Sequence, residues 1–225
     1  MASNAEILES KAMRMLLTTV RNKATTQRAY VAAADRLCAM LAEEALARLP
    51  DAKVDVTVET PCGTMTTGTV KAVPDDDVCV VDIMRSGAIL QEAARRVCPA
   101  AKTAKILIQR DEATAEAVLM YSKLPPGIET LNVLLCDPML ATGGSACTAV
   151  KVLKDAGVPE SRIVFANVVS SPEGLRRLAK EAPGVRVVTC ACDEKLNEQK
   201  FIVPGLGDFG DRYFGTYGYV EGLWG

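Results

Sequence analysis

The sequence contains no histidine. Without an imidazole, the chain cannot use Ser-His-Asp or Cys-His catalysis and cannot bind a metal through a histidine nitrogen. Any proton transfer must therefore involve a carboxylate, lysine, tyrosine, the backbone or water. Aromatic residues are scarce, at 4% of the chain, whereas apolar residues make up 49%. We therefore expect a substantial core built mainly from Ala, Val, Leu and Ile.

The chain also lacks long hydrophobic runs and an excess of basic charge. No apolar run approaches the roughly 20 residues of a membrane-spanning helix. The N-terminal stretch MASNAEILESKAMRM has mixed charge and no apolar segment of the secretory kind. The formal net charge of −2 does not indicate a nucleic-acid-binding surface. We therefore expect a cytoplasmic protein that binds neither membranes nor nucleic acid.

The eight cysteines form no recognisable metal-binding or disulfide pattern. No C-x-x-C motif occurs, and Cys190 with Cys192 makes a poor zinc half-site. Most of the cysteines stand inside apolar strand or helix patterns, namely Cys38, Cys79, Cys136, Cys147 and Cys190. Because no secretory signal is evident, we predict buried thiols in a reducing compartment.

The stretch 131–150, LNVLLCDPMLATGGSACTAV, has the pattern of a strand, a tight turn and a helix. Residues 131–136 are a short apolar run, typical of a strand that is buried on both faces. Asp137 follows at the end of this strand. Residues 142–145, TGGS, form the turn into a helix that Gly157 closes.

This turn has the composition of a phosphate-binding site. A helix start leaves its first N–H groups unpaired and carries partial positive charge from the helix dipole. Gly143 and Gly144 let an anion approach these N–H groups, and Thr142 and Ser145 add hydroxyl donors. The carboxylate of Asp137 would repel phosphate, but it can accept hydrogen bonds from ribose hydroxyls. The pattern therefore predicts a ligand that is a sugar carrying a 5-phosphate.

Two familiar phosphate motifs do not fit this turn. It lacks the G-x-x-x-x-G-K-[ST] spacing of a P-loop, and it is not a G-x-G-x-x-G dinucleotide turn. The alternative is an ordinary strand-to-helix turn in which these residues only cap the helix. The acid at the strand end and the rest of the chain favour the phosphate site.

The region 78–192 alternates apolar strands with helices, which predicts an α/β core with a mostly parallel sheet and helices on both faces. Ligands of such sheets bind outside the carboxyl ends of the strands. This rule places Arg85, Arg110 and Asp137 along one edge. Either arginine alone could be a surface ion-pair partner. Two of them beside a phosphate cradle predict a diphosphate, with the N–H of Gly87 as a further donor.

The remaining segments are predicted to flank this core within a single domain, 1–225. Residues 1–50 form an N-terminal helical segment, with an amphipathic helix over 28–48 and a packing arm before it. Residues 53–73 form a β-hairpin arm that covers another surface, such as that of a second subunit.

Two glycine- and proline-punctuated segments are predicted to be loops. Residues 113–130 lack periodicity and form a long loop that closes over the site as a lid. In 193–225 the helix and strand periods stop. Its closely spaced glycines predict a loop that exposes its backbone and forms no regular element.

Residues 137–145, DPMLATGGS, resemble the phosphoribosyl-diphosphate (PRPP) binding loop of the uracil phosphoribosyltransferases. The general type I loop has two adjacent acids, whereas here Pro138 follows the first acid, as in the uracil-specific branch. Arg85-Ser86-Gly87 is similar to the family's diphosphate loop, and 110–112 to its second PRPP-contacting segment. The resemblance implies a type I phosphoribosyltransferase fold that binds PRPP through Arg85, Ser86, Gly87, Arg110, Asp137, Pro138, Met139, Leu140, Ala141, Thr142, Gly143, Gly144, Ser145 and Asp208.

Residues 201–216 resemble the family's uracil-binding loop, a C-terminal hood over the site. The resemblance implies uracil contacts from Ile202, Gly207, Asp208 and Phe209. Uracil presents an acceptor–donor–acceptor edge that backbone groups can match, and a site of this kind discriminates against cytosine. Many bacterial relatives have alanine where Phe209 stands, which leaves open whether its ring crowds the base pocket.

The resemblance also implies the catalytic parts. Asp208, Arg85 and Asp137 would carry the chemistry, and Tyr121 and Lys123 would belong to the flexible lid. Mg²⁺ would arrive with PRPP and bind no protein ligand directly, with Asp137 or Asp208 contacting its waters.

These observations predict a uracil phosphoribosyltransferase that converts uracil and PRPP into UMP and diphosphate in pyrimidine salvage, as a homodimer or higher homo-oligomer. One alternative is a transferase for another base or nucleotide precursor. The other is a nucleotide sensor or RNA-binding regulator that has kept the fold, which the acidic net charge disfavours.

Overall fold

The protein is described from a computed structural model, which defines residues 4–110 and 117–216. Among these residues, the strands are β1 (Ala5–Ile7), β2 (Lys53–Glu59), β3 (Met65–Lys71), β4 (Val78–Met84), β5 (Lys102–Arg110), β6 (Ala117–Lys123), β7 (Asn132–Cys136), β8 (Met139–Leu140), β9 (Ile163–Ser170), β10 (Arg186–Cys192), β11 (Lys195–Leu196) and β12 (Ile202–Val203). The α-helices are α1 (Lys11–Arg21), α2 (Gln27–Leu46), α3 (Gly87–Val97), α4 (Gly144–Asp155), α5 (Pro172–Glu181) and α6 (Phe209–Phe214).

An eight-stranded sheet forms the centre of the molecule. Its order is β1-β10-β9-β7-β4-β5-β6, with β8 added alongside β9. All neighbours pair in parallel except β6, which is antiparallel to β5 at one edge. The carboxyl ends of β4, β5 and β7 therefore meet at one edge of the sheet, as the sequence predicts.

Helices cover both faces of the sheet, which confirms the predicted fold class. On one face, α1, α2 and α3 pack in a cluster that includes Leu37, Leu41 and Leu90. On the other face, α4 and α5 pack in a second cluster that includes Phe165 and Leu153. The central strands β4 and β9 are buried along almost their whole length because both of their faces are covered.

Short polar caps fix where several helices begin. Ser10 caps α1, Thr26 caps α2, and Ser171 caps α5, each by accepting a backbone N–H of the first turn. Pro172 occupies the first turn of α5, where no hydrogen bond of its own is needed. Within the described residues, no helix is long and apolar enough to cross a membrane.

The hairpin of β2 and β3 pairs in antiparallel register as a sheet of its own. Its strands are exposed along nearly their whole length. Apolar side chains among those exposed are Val54, Val58, Met65 and Val70.

Two local predictions are wrong. The segment 113–130 is not a loop throughout, because β6 pairs with β5 over Ala117–Lys123. That edge strand is exposed on both faces, so it carries no hydrophobic alternation that would reveal it. The packing arm predicted before α2 is formed by helix α1, whose bounds were not predicted. The glycine-rich C-terminal segment contains the short helix α6, because the Asp208 cap stabilises its first turn despite Gly210.

Candidate active site

A cleft of about 400 Å³ opens at the carboxyl edge of the sheet. The strand-to-helix turn after β7 forms one wall, and the C-terminal segment before α6 forms the other. The cleft is lined by Ser86, Ile108, Asp137, Met139, Leu140, Ala141, Thr142, Gly143, Gly144, Ser145, Ala146, Gln199, Lys200, Phe201, Ile202, Gly207, Asp208 and Phe209.

The turn between β7 and α4 has the geometry of an anion cradle. Gly143 stands at the N-cap of α4 with φ of +80°, a conformation that favours glycine. Gly143 has no side chain with which to cap α4, so it accepts no side-chain hydrogen bond from the first N–H groups of the helix. Thr142 and Ser145 are both partly exposed in the cleft. The helix dipole and these donors therefore face the same space.

The cradle is held in place by the start of α5. The Ser171 backbone N–H donates to the Leu140 carbonyl at 2.8 Å, and its hydroxyl donates to the Ala141 carbonyl at 2.5 Å. The same hydroxyl accepts the N–H of Gly174 at 2.9 Å. A Cβ on Gly174 would lie only 2.5 Å from the Ala141 carbonyl oxygen. The missing side chain therefore lets α5 touch the backbone of the cradle.

Asp137 lies at the carboxyl end of β7 and lines the cleft. One of its oxygens accepts the N–H of Met139 at 3.4 Å. Pro138 is buried and is not part of the cleft wall, since its carbonyl accepts the N–H groups of Val168 and Val169 instead.

The loop after β4 places one of its three predicted PRPP-binding residues in the wall of the cleft. Ser86 lines the cleft, whereas Arg85 and Gly87 do not. The guanidinium of Arg85 pairs with Asp211 and donates to the Thr216 hydroxyl at 3.0 Å. A Cβ on Gly87 would lie 2.3 Å from the Cys136 carbonyl oxygen, so this glycine permits close packing of α3 on β7.

The other predicted PRPP and lid residues lie on the antiparallel edge of the sheet. Arg110 ends β5, where its backbone pairs with Ala117 of β6. Its predicted neighbours 111 and 112 fall outside the described residues. Tyr121 and Lys123 are exposed residues of β6, not residues of a loop. Neither is among the residues that line the cleft.

The C-terminal wall brings together all four predicted uracil-contacting residues. Ile202, Gly207, Asp208 and Phe209 all line the cleft. Phe209 is nonetheless 1% exposed, and its ring packs edge-on against Tyr30 at 5.6 Å between centroids. The ring is thus anchored in the core beneath the cleft.

Asp208 has a structural role in addition to its place in the cleft. Its carboxylate caps α6 by accepting the Asp211 N–H at 2.7 Å. A Cβ on Gly210 would lie 3.4 Å from Asp208 and 3.2 Å from Ser86. The close approach at Gly210 therefore joins the loop after β4 to the base of α6.

The turn before β12 was not predicted from the sequence. Gln199, Lys200 and Phe201 line the cleft, and Asn197 folds this turn by accepting the Phe201 N–H at 2.8 Å. Lys200 is exposed and has φ of +66°. The signal available in the sequence was the polar stretch 197–200, which begins with the turn-forming residue Asn197 and directly precedes the predicted base loop.

The two cysteines on the elements that flank the cradle, Cys136 and Cys147, are buried. All eight cysteines are free. Burial raises the pKa of the Cys147 thiol on α4 to about 12 and raises that of Cys136 well above its ordinary value. Such thiols are protonated at neutral pH and are poor nucleophiles. No group of three potential metal-ligating side chains is found in 4–110 and 117–216.

The fold and the cleft define an α/β protein with an anion cradle at the carboxyl edge of a mostly parallel sheet. The family model described as uracil phosphoribosyltransferase matches residues 7–216. The chain belongs to the uracil phosphoribosyltransferase family, which confirms the resemblance and the predicted enzyme class.

Individual relatives agree over nearly their whole length. A Dictyostelium discoideum protein named uracil phosphoribosyltransferase is 45% identical over 214 residues, covering 95% of this chain and 97% of its own. A Saccharomyces cerevisiae protein of the same name is 44% identical over 202 residues, covering 88% and 90%. The solved structure of the AQ2163 protein from Aquifex aeolicus has a TM-score of 0.80 at 29% identity, covering 94% of this chain and 98% of that one.

Proposed function

We propose that this protein transfers the 5-phosphoribosyl group of PRPP to N1 of uracil, giving UMP and diphosphate. The observation that carries the proposal is that one cleft holds both the anion cradle of α4 and the segment 202–209. A ligand that reaches both walls presents a phosphate to a helix start and a planar base to an exposed backbone.

The 5-phosphate is assigned to the cradle. The first N–H groups of α4 and the hydroxyls of Thr142 and Ser145 donate to its oxygens, and the helix dipole favours its charge. Asp137 accepts hydrogen bonds from the ribose hydroxyls. Fixing the phosphate and ribose in this way holds the anomeric carbon at one position relative to the base.

The diphosphate is assigned to the loop after β4. Ser86 lines the cleft already. The Arg85 side chain is 56% exposed and is bound to Asp211 and Thr216. We propose that it exchanges these partners for the leaving diphosphate, whose charge it stabilises. Arg110, Tyr121 and Lys123 are proposed to contact or cover PRPP from the antiparallel edge.

Mg²⁺ is proposed to bind together with PRPP. Asp137 and Asp208 line the cleft and are partly or fully exposed. Each carboxylate can accept hydrogen bonds from metal-bound water, because a carboxylate has about four acceptor sites. The donor set therefore fits a hydrated ion that the substrate holds. When bound, the ion would neutralise charge on the diphosphate.

Uracil is assigned to the C-terminal wall. Backbone groups of Ile202 and 207–209 match its acceptor–donor–acceptor edge. Cytosine would place an amino donor against a backbone donor, and mismatches of this kind discriminate by up to ~10⁴-fold. Asp208 stands beside the base segment and offsets the positive charge that develops on the ribose in the transition state.

Two properties beyond the reaction are also proposed. The exposed apolar residues of the hairpin, Val54, Val58, Met65 and Val70, would be covered in a homodimer or higher homo-oligomer. A cytoplasmic location fits eight free cysteines, seven of which are buried or partly buried.

The test is UMP production from uracil and PRPP, with Mg²⁺ or with a chelator, and with cytosine, hypoxanthine and orotate as competing bases. Removing one cradle hydroxyl at a time, in Thr142→Val or in Ser145→Ala, should raise KM for PRPP by about 10- to 100-fold, since a lost bond to a charged group is worth about 1.5–3 kcal/mol. Thr148→Val is the matched control, because Thr148 lies on the same helix and does not line the cleft. Absence of UMP with Mg²⁺ present would exclude the proposed reaction.

A further inference from the structure

The segment that faces the base is attached to the rest of the protein through two arginines that do not line the cleft. Arg21 is the last residue of α1, and Arg212 lies in α6. Both guanidinium groups donate to backbone carbonyls of the segment 202–209. No sequence motif signals these contacts, and Arg21 is 184 positions from its partner Gly205.

Arg21 closes a ring of hydrogen bonds with Asp193 and Gly205. Its Nη1 lies 2.7 Å from Asp193 Oδ2 and 2.7 Å from the Gly205 carbonyl, and its Nη2 lies 2.6 Å from Asp193 Oδ1. Asp193 Oδ2 also accepts the Gly205 N–H at 2.8 Å. The pair therefore holds residue 205 by both its N–H and its carbonyl. Because the Asp193 side chain is 5% exposed, this ion pair is screened little by solvent.

Arg212 holds the next carbonyl along the chain. Its Nη1 donates to the Leu206 carbonyl at 2.7 Å and also to Val20, and its Nη2 donates to the Asn22 carbonyl at 2.9 Å. The guanidinium lies 4.4 Å from the ring centre of Tyr30. The residue is 4% exposed. The same side chain thus joins the end of α1 to the base segment.

These contacts determine which backbone groups remain for a ligand. The carbonyls of Gly205 and Leu206 are bound by arginines, while the next residues, 207–209, line the cleft. Gly205 and Gly207 both have positive φ, at +61° and +79°. A Cβ on Gly205 would lie 2.0 Å from the Ile202 carbonyl oxygen, so the turn admits little variation.

We propose that Arg21, Asp193 and Arg212, which we call the two-arginine clasp, are positioning residues that fix the base-recognising backbone and thereby set affinity and selectivity for uracil. This inference rests on the proposed uracil transfer. The hydrogen bonds of Arg21 and Asp193 go to Gly205 in the base segment, not to the cradle, so their loss should change the uracil site and leave the 5-phosphate cradle as it is.

The test compares Arg21→Lys and Asp193→Asn with the wild-type enzyme. Lysine retains the charge but cannot donate a fork to Asp193 and Gly205 at once. Asparagine retains an acceptor for Gly205 but turns one oxygen into a donor that faces Arg21. We expect KM for uracil to rise about 10-fold or more in each variant, and KM for PRPP to stay within about 2-fold. Selectivity for uracil over cytosine, as the ratio of kcat/KM values, should fall.

Arg48→Lys is the matched control. Arg48 forms comparable ion pairs with Glu6 and Glu44, its side chain is 21% exposed against 24% for Arg21, and it does not line the cleft. Both KM values of this variant should equal those of the wild type. The double variant Arg21→Lys/Asp193→Asn should raise KM for uracil no more than the stronger single variant does. Both substitutions break the same ring of hydrogen bonds, so their effects should not add.

The possible outcomes distinguish a failure of the clasp from a failure of the proposed uracil transfer. A wild-type enzyme that makes no UMP from uracil refutes the proposed function. The clasp is refuted if the wild type is active and, in the Arg21→Lys and Asp193→Asn variants, only kcat falls. It is also refuted if KM for uracil and KM for PRPP rise equally in these variants. A thermal melt of each variant sets an assay temperature at which it is folded, so a lower Tm does not imitate either result.

Discussion

Gly174 offers a test in which helix propensity and tertiary packing predict opposite signs. It lies in the first turn of α5, where replacing glycine by alanine normally stabilises a helix by up to about 1 kcal/mol. In the folded protein, however, an added Cβ would lie 2.5 Å from the Ala141 carbonyl oxygen and 2.9 Å from that of Leu140. Both atoms belong to the backbone of the cradle and cannot move aside as a flexible side chain would.

The expected balance is a loss of stability. Overpacking against a backbone costs about 1–3 kcal/mol, which exceeds the helix gain and leaves Gly174→Ala about 1–2 kcal/mol less stable. For a chain of this size, each kcal/mol lowers Tm by roughly 2–4 °C. We therefore expect Tm to fall by about 2–8 °C. Displacement of the cradle should also raise KM for PRPP by about 10-fold, while KM for uracil changes less.

Thermal melts and initial-rate kinetics with each substrate varied would measure both effects. Gly68→Ala is the control, because nothing lies within 4 Å of a Cβ at Gly68 in β3. Its Tm should remain within a few degrees of the wild type. A Gly174→Ala protein with a raised Tm and an unchanged KM for PRPP would refute the proposed contact between α5 and the cradle.

Two further predictions concern carboxylates. Asp208→Asn and Asp208→Ala should both lower turnover by roughly 10²-fold, with KM for PRPP within about 10-fold of the wild-type value. Only the alanine variant loses the cap on α6, so only its Tm should fall, by an amount equivalent to about 1 kcal/mol. Near-normal turnover in Asp208→Asn would remove its charge from the chemistry. Burial raises the pKa of Asp82 above its ordinary value of 3.8, and its bond to Lys105 only partly opposes this. The folded state therefore binds the proton more tightly, and stability falls as pH rises above about 4. Asp82→Asn should be more stable than the wild type at pH 7, with the difference shrinking toward pH 4 in thermal melts; a difference independent of pH would contradict this.

Several strands and helices could be predicted from the local sequence pattern alone. The buried strands and the helices between them follow from apolar runs, caps and helix ends, all of which are properties of neighbouring residues. The edge strand β6 was missed because it buries neither face. The bounds of helix α1 within the N-terminal helical segment were not predicted, although Ser10 caps it.

The site likewise contains some features that the local sequence predicts and others that it does not. The cradle residues Thr142 and Ser145 lie in one continuous turn, so their chemistry can be inferred from the sequence. The orientation of Arg85 could not be inferred, because its partners Asp211 and Thr216 are more than a hundred positions away. Gly174 likewise carries no motif, and its role depends on how closely α5 approaches the cradle.

By itself, the sequence determined the α/β architecture, the anion cradle at the start of α4 and the segment that faces the base. Only the tertiary structure decided that Arg85 binds α6, that α5 supports the cradle, and that Arg21 and Arg212 hold the base segment. The physical reason is that periodicity and capping act between residues a few positions apart. Contacts between distant segments depend instead on the packing of helices against a finished sheet.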